Sequence, residues 1–168
     1  ELLDGKEPFT EDGNYKLKID LDNERVLAAD WLKYAFSLPA DINTDYSSTL
    51  ASDARYMRGM EYNRLGLFDK ANNEFESLRL ENTEDPLNTF RLLKLFLDNH
   101  YYKSAIECAR TIRQLAGYGD TPVARILPPY FAYVEYGAYY LPWIEAKAEK
   151  YKLSPLVLLS VIHQESRF

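Results

Sequence analysis

The stretch ARYMRGMEYNRLGLFDKANNEFESL (residues 54–78) decides the fold, because its pattern returns once more in the chain. Displaced by 34 residues, it runs along TFRLLKLFLDNHYYKSAIECART (89–111). Tyr62 then meets Phe96, Leu67 meets Tyr101, Phe68 meets Tyr102, Ala71 meets Ala105 and Phe75 meets Ala109. A period of this size marks a supersecondary unit that buries its apolar face only by stacking on its neighbour. Both copies carry helical spacing, so the unit is a helical hairpin. A small residue where the two helices cross lets their axes approach, and aromatics fill the groove toward the next unit.

Within the first copy the order Gly59, Tyr62, Gly66, Ala71, Phe75 resembles the tetratricopeptide pattern, whose period is also about 34. The second copy has neither glycine. Asp85-Pro86 opens it as a helix cap followed by proline at the first helical position. The expected organisation is an acidic lead-in over 1–23, TPR-like helical repeats over 24–121 and an aromatic connecting helical segment over 122–141. A further helical region, 142–168, follows.

Upstream, NERVLAADWLKYAF repeats Val26, Leu27, Trp31, Tyr34 and Ala35 at helical spacing, which predicts a helix that ends at Pro39. Before it, YKLKIDL alternates Tyr15, Leu17, Ile19 and Leu21 with charged residues after an Asp12-Gly13 turn, the pattern of one short strand.

Downstream, PPYFAYVEYGAYYLPW sets seven aromatics within fourteen residues. Such a group can stack on sugar rings. Tyr133, Tyr136 and Tyr140 also recur at helical spacing, and a stripe of that kind packs as a helix face. Then LPWIEAKAEKYKL starts a helix at Pro142, with Ile144, Ala148 and Tyr151 on one side. Ser154 offers an N-cap oxygen and Pro155 heads the next helix. There Leu156 to Leu159, Val161 and Ile162 cover the whole circumference, which predicts a buried helix.

The same helix carries Leu158, Ile162 and Glu165 at i, i+4, i+7. On that stripe the glutamate either extends into a cleft or is a solvated residue of the last turn. In a cleft its charged form is desolvated, and a carboxyl kept protonated can hand a proton to a leaving oxygen. Ser166 and His163 form no nucleophile triad, since no acidic orienter accompanies them.

Other chemistry is excluded by composition. The net charge of -6 arises wholly in residues 1–50, which hold eleven acidic and five basic side chains; residues 51–168 hold fifteen of each. No basic face marks a nucleic-acid partner. One cysteine, Cys108, supports no disulfide framework and reads as a small helix residue. His100 and His163 alone make no zinc site, and His163-Gln164-Glu165 lacks the P-C-x-x-C that a zinc deaminase needs. Neither metal nor cofactor is expected. No apolar run approaches the roughly 18 residues of a spanning helix. The chain opens on Glu1 and closes on Phe168 in mid-pattern, and so is expected to be part of a longer polypeptide.

The last thirty residues, YYLPWIEAKAEKYKLSPLVLLSVIHQESRF (139–168), resemble the start of the catalytic domain of soluble lytic transglycosylases, the goose-lysozyme-like fold. The likeness rests on the Tyr/Pro-rich opening, the alanine-containing helix body, Pro155 heading an apolar helix, the Gln164-Glu165-Ser166 triplet and Phe168. Where that family usually has arginine, this chain has His163. The resemblance implies an all-α protein: a TPR-like helical array leading into the first helices of a lysozyme-like catalytic domain, truncated here. It implies that Glu165 is the catalytic acid and base, and that Ser166 beside it orients substrate or the glutamate. The substrate would be peptidoglycan glycan strands, cleaved without water between N-acetylmuramic acid and N-acetylglucosamine to leave 1,6-anhydro ends. A single carboxyl suffices for that chemistry, where ordinary glycosidases use a pair.

The family's following Gly-Leu-Met-Gln segment is absent, so this chain alone is expected to be inactive. Its implied partner is the remaining catalytic polypeptide after Phe168. The implied location is a bacterial cell envelope, periplasmic or extracellular. Two other readings stay open: a goose-type lysozyme that hydrolyses the same bond, and a non-enzymatic TPR-like module whose terminal helix binds a partner, with Glu165 incidental and the repeats a further place for a protein partner.

Overall fold

Asp53 and Asp85 each stand in extended backbone immediately before a helix and cap it with their carboxylates. Asp53 accepts from the Arg55 amide at 2.8 Å, and Asp85 accepts from the amides of Leu87 and Asn88 at 2.9 Å each. Pro86 fills the first position of the second helix, where its missing N–H costs nothing. The structure is a computed structural model and describes residues 18–119 and 127–166, except the side chains of Ser48 and Ser166.

Among the described residues all regular structure is helical. The elements are α1 (Leu21–Ala35), the single turn α2 (Tyr46–Thr49), α3 (Ala54–Arg64), α4 (Phe68–Glu81), α5 (Pro86–Asp98), α6 (Tyr102–Leu115), α7 (Pro129–Glu135), a 3-10 turn (Ala138–Tyr140), α8 (Leu141–Tyr151) and α9 (Pro155–Ser166). They fall into two compact units, which divide between Glu135 and Tyr136, inside the stretch expected to connect.

In the first unit α3 pairs with α4 and α5 with α6. The two hairpins turn alike. Gly66 takes φ +72° and His100, 34 residues later, takes φ +65°. Each turn closes through the next amide: Leu67 donates to the Tyr62 carbonyl at 2.9 Å, and Tyr101 donates to the Phe96 carbonyl at 2.8 Å. Gly59 is buried against the ring of Phe75, as its place at the helix crossing predicts. Phe75 in turn sets edge-on contacts with Phe96 at 6.1 Å and Tyr101 at 5.3 Å, so aromatics join one hairpin to the next. A polar layer runs beside them: Asn63 donates to Asn99 at 3.1 Å and accepts from the Tyr101 hydroxyl at 2.9 Å. Cys108 lies inside α6, and burial pushes its thiol far above the ordinary value, as suits an inert core residue.

Next, α7 covers the second hairpin. Its Tyr130 and Phe131 pack on Phe90, and Trp31 of α1 sets an edge-on contact with Phe131 at 5.5 Å. Glu135, only 7% exposed, is neutralised by Arg113 at 3.3 Å and Arg110 at 3.8 Å.

Several expectations are corrected here. The inward face of α1 is Ala28, Ala29 and Leu32, while Val26 and Leu27 are exposed and Tyr34 is 88% exposed. Small alanines let α1 lie close on α5 and α7 with Trp31 beside them on Phe131, while Val26, Leu27 and Tyr34 turn outward. The first three residues of the expected strand, 15–17, lie outside the described residues; of the rest, 18–20 have no regular structure and Leu21 opens α1. Tyr133, Tyr136 and Tyr140 share no helix face, because α7 stops at Glu135 and Gly137 turns the chain at φ +75°.

Candidate functional site

The second unit places Glu165 through two helices. Lys152 ends α8 in the left-handed conformation at φ 54°, with its amide accepted by the Glu149 carbonyl at 3.4 Å. Pro155 then starts α9, whose first turn closes from the Leu158 amide to the Ser154 carbonyl at 3.1 Å. The Ser154 hydroxyl caps nothing: it is buried without a hydrogen-bond partner, so the expected side-chain cap is replaced by proline geometry and the main-chain bond.

Helix α8 buries Leu141, Ile144 and Ala148, whereas Tyr151, expected on the same side, is exposed. It packs on α9, where Leu158, Leu159, Ile162 and His163 are half-buried. The ring of His163 stands 4.9 Å from that of Tyr136, and its Nδ1 is sheltered without a hydrogen-bond partner.

The opposite side of α9 departs from expectation. Leu156, Val157 and Val161 are exposed, the last two by 53% and 51%. A helix apolar all round is fully buried only when elements cover all of it, and here α8 covers one side. With Ser154, Ser160 and Gln164, these residues line a shallow, open groove of about 460 Å³ along one face of α9 that reaches Glu165. Glu165 is thus an exposed carboxylate at the end of one open helix face, the solvated last-turn placement of the two its spacing allowed. The half-buried Leu158 and Ile162, expected to share its stripe, belong to the covered side. Ser166 is the last residue of α9. The groove brings Glu165 together with Leu156, Val157 and Val161, a set that spacing read as core.

Among the described residues no cluster of His, Cys, Asp and Glu could hold a metal ion, and no helix is long and apolar enough to cross a membrane. No family model, curated protein or solved structure matches the chain.

Proposed function

We propose that this chain is the helical part and the opening of the catalytic domain of a peptidoglycan lytic transglycosylase, with Glu165 as its acid and base. The observation that carries the reading is an exposed carboxylate that shares one face of α9 with Leu156, Val157 and Val161, which are exposed among the described residues. An apolar helix face of that kind suits a helix that the rest of a catalytic domain completes. The two hairpins at a 34-residue offset support a TPR-like array ahead of it.

In this reading the glutamic acid protonates the leaving glycosidic oxygen while the substrate's own acetamido group assists at the anomeric carbon. The resulting carboxylate then takes the proton of the muramoyl C6 hydroxyl as that oxygen closes on the anomeric carbon. The acid is regenerated and no water enters the product. Ser166 orients substrate or Glu165. Such a protein works on the cell envelope.

The test incubates purified peptidoglycan with the 168-residue chain, with the chain joined to the polypeptide that completes the domain, and with the joined protein carrying Glu165→Gln. Released ends are identified by mass. The expected result is anhydro ends from the joined protein alone, reduced at least a hundredfold by the substitution, a usual scale for loss of a general acid. Reducing ends would assign a goose-type lysozyme. Release that does not depend on Glu165 would overturn both enzyme readings and leave the helical hairpins as a module for a protein partner.

A further inference from the structure

Among the described residues α9 is covered on one side only, and His163 is the last residue of that side. Pro155 is buried and Leu158, Leu159, Ile162 and His163 are half-buried, whereas Gln164 and Glu165 are exposed. The final residues of α9, 164–166, therefore reach past the covered side and carry the carboxylate with them. A helix end of this kind frays, because its last carbonyls have no amide partner within the helix. The hold on His163 decides how far the fraying reaches.

Only residues 152–154 separate α8 from α9, so the two helices pair antiparallel and the end of α9 lies where the chain enters α8. That entry is stiff. Gly137 turns at φ +75°, the Tyr140 amide donates to the Gly137 carbonyl at 2.9 Å, and Ala138 and Leu141 are buried. Tyr136 stands immediately before this turn, and its ring meets that of His163 at 4.9 Å and an angle of 49°. The contact is one of packing. The Nδ1 atom of His163 is sheltered without a hydrogen-bond partner, so that nitrogen adds no polar bond. Tilted rings at this separation attract, and such a pair shifts an equilibrium about two- to tenfold. Tyr136 is 58% exposed, so the pair can be taken apart without opening the core.

We propose that His163 is a positioning residue for Glu165: stacked on Tyr136, it clamps the last turn of α9 and so fixes where the carboxyl stands. The inference rests on the reading of Glu165 as acid and base. A general acid must come within hydrogen-bond reach of the leaving oxygen, and a carboxyl on a fraying turn does so only part of the time. His163 touches no substrate in this role; it acts through the backbone that leads to Glu165.

The test takes the clamp apart in the 168-residue chain and in the chain joined to the polypeptide that completes the domain. In the 168-residue chain, NMR reads amide hydrogen exchange at residues 164–166, and helical circular dichroism establishes that each variant folds. His163→Ala should speed that exchange about two- to tenfold. Tyr136→Ala should do the same, and the two together no more than either alone, as one shared contact requires. His163→Phe, which keeps a ring and drops the nitrogens, should restore slow exchange, while His163→Gln should not. In the joined protein, His163→Ala should lower kcat about two- to tenfold with KM unchanged, and His163→Phe should regain it. Exchange that ignores His163→Ala, or responds equally to His163→Phe, would overturn the clamp and leave the role of Glu165 standing. An unchanged kcat in a joined protein that Glu165→Gln inactivates would overturn the positioning role alone. Release that ignores Glu165→Gln would overturn the role of Glu165, and that of His163 with it, whatever the exchange shows.

Discussion

Gly59 is where one missing carbon sets the spacing of two helices. A Cβ built there would stand 2.4 Å from the Phe75 ring, and that ring is fully buried between Phe96 and Tyr101 with nowhere to turn. Gly59→Ala gains up to about 1 kcal/mol of helix propensity but forces overpacking that costs about 1–3 kcal/mol. The substitution should therefore lower stability by about 1–2 kcal/mol, read as a lower urea midpoint in helical circular dichroism. Phe75→Leu in the same chain should recover part of the loss, a coupling that unrelated sites would not show. This role was legible in the residues, because Gly59 heads the order Gly59, Tyr62, Gly66, Ala71, Phe75, in which a small residue marks the helix crossing and an aromatic fills the groove beside it. The position of Glu165 was legible only in part. Its helix and its last-turn place follow from the apolar run. That it faces the open side, with Val157 and Val161 rather than with Leu158 and Ile162, depends on which side α8 covers.

The helical hairpins share one turn geometry and differ in what occupies it. Gly66 accepts the left-handed conformation without strain, whereas His100 carries a Cβ into the same region at φ +65°. Gly66→Ala should destabilise the fold by about 1 kcal/mol. His100→Gly should stabilise it by roughly 0.5–1 kcal/mol, since relief of strain outweighs the added freedom of the unfolded chain and an exposed bond to the Tyr102 hydroxyl. His100→Asn should fall between them, because asparagine tolerates this conformation. Urea midpoints of the three variants check the order. At this scale the helix starts were readable from capping chemistry at Asp85-Pro86, and the register of the hairpins from aromatic and small residues. The inward face of α1 was not. Apolar spacing selects Val26, Leu27 and Tyr34, but close approach to α5 and α7 selects Ala28 and Ala29, and hydrophobicity does not encode which neighbour comes close.

At the scale of the whole molecule, the helical structure of the described residues follows from long periodic segments, while the open face of α9 follows from tertiary contacts that no local pattern contains. The charges act at this scale too. Asp53 is held below the usual carboxylate range by its hydrogen bonds with Arg55, and Glu74 by those from Arg58. Glu76 is raised by burial but lowered further by hydrogen bonds from Arg79 and Ser104. A carboxyl lowered in the folded state adds stability that is complete above its unfolded value, about 3.9 for Asp and 4.3 for Glu. That stability fades as pH falls through the lower folded value. Glu74 ties α4 to α3 and Glu76 ties α4 to α6, while Asp53 caps α3 and holds Arg55, which reaches Glu81 of α4, so acid should loosen the hairpins together. The urea midpoint should hold steady from about pH 7 to about pH 5 and fall below about pH 4. Asp53→Asn with Glu76→Gln should lower the midpoint at neutral pH and flatten the acid slope. A slope as steep as that of the unmodified chain would place the acid-sensitive groups elsewhere.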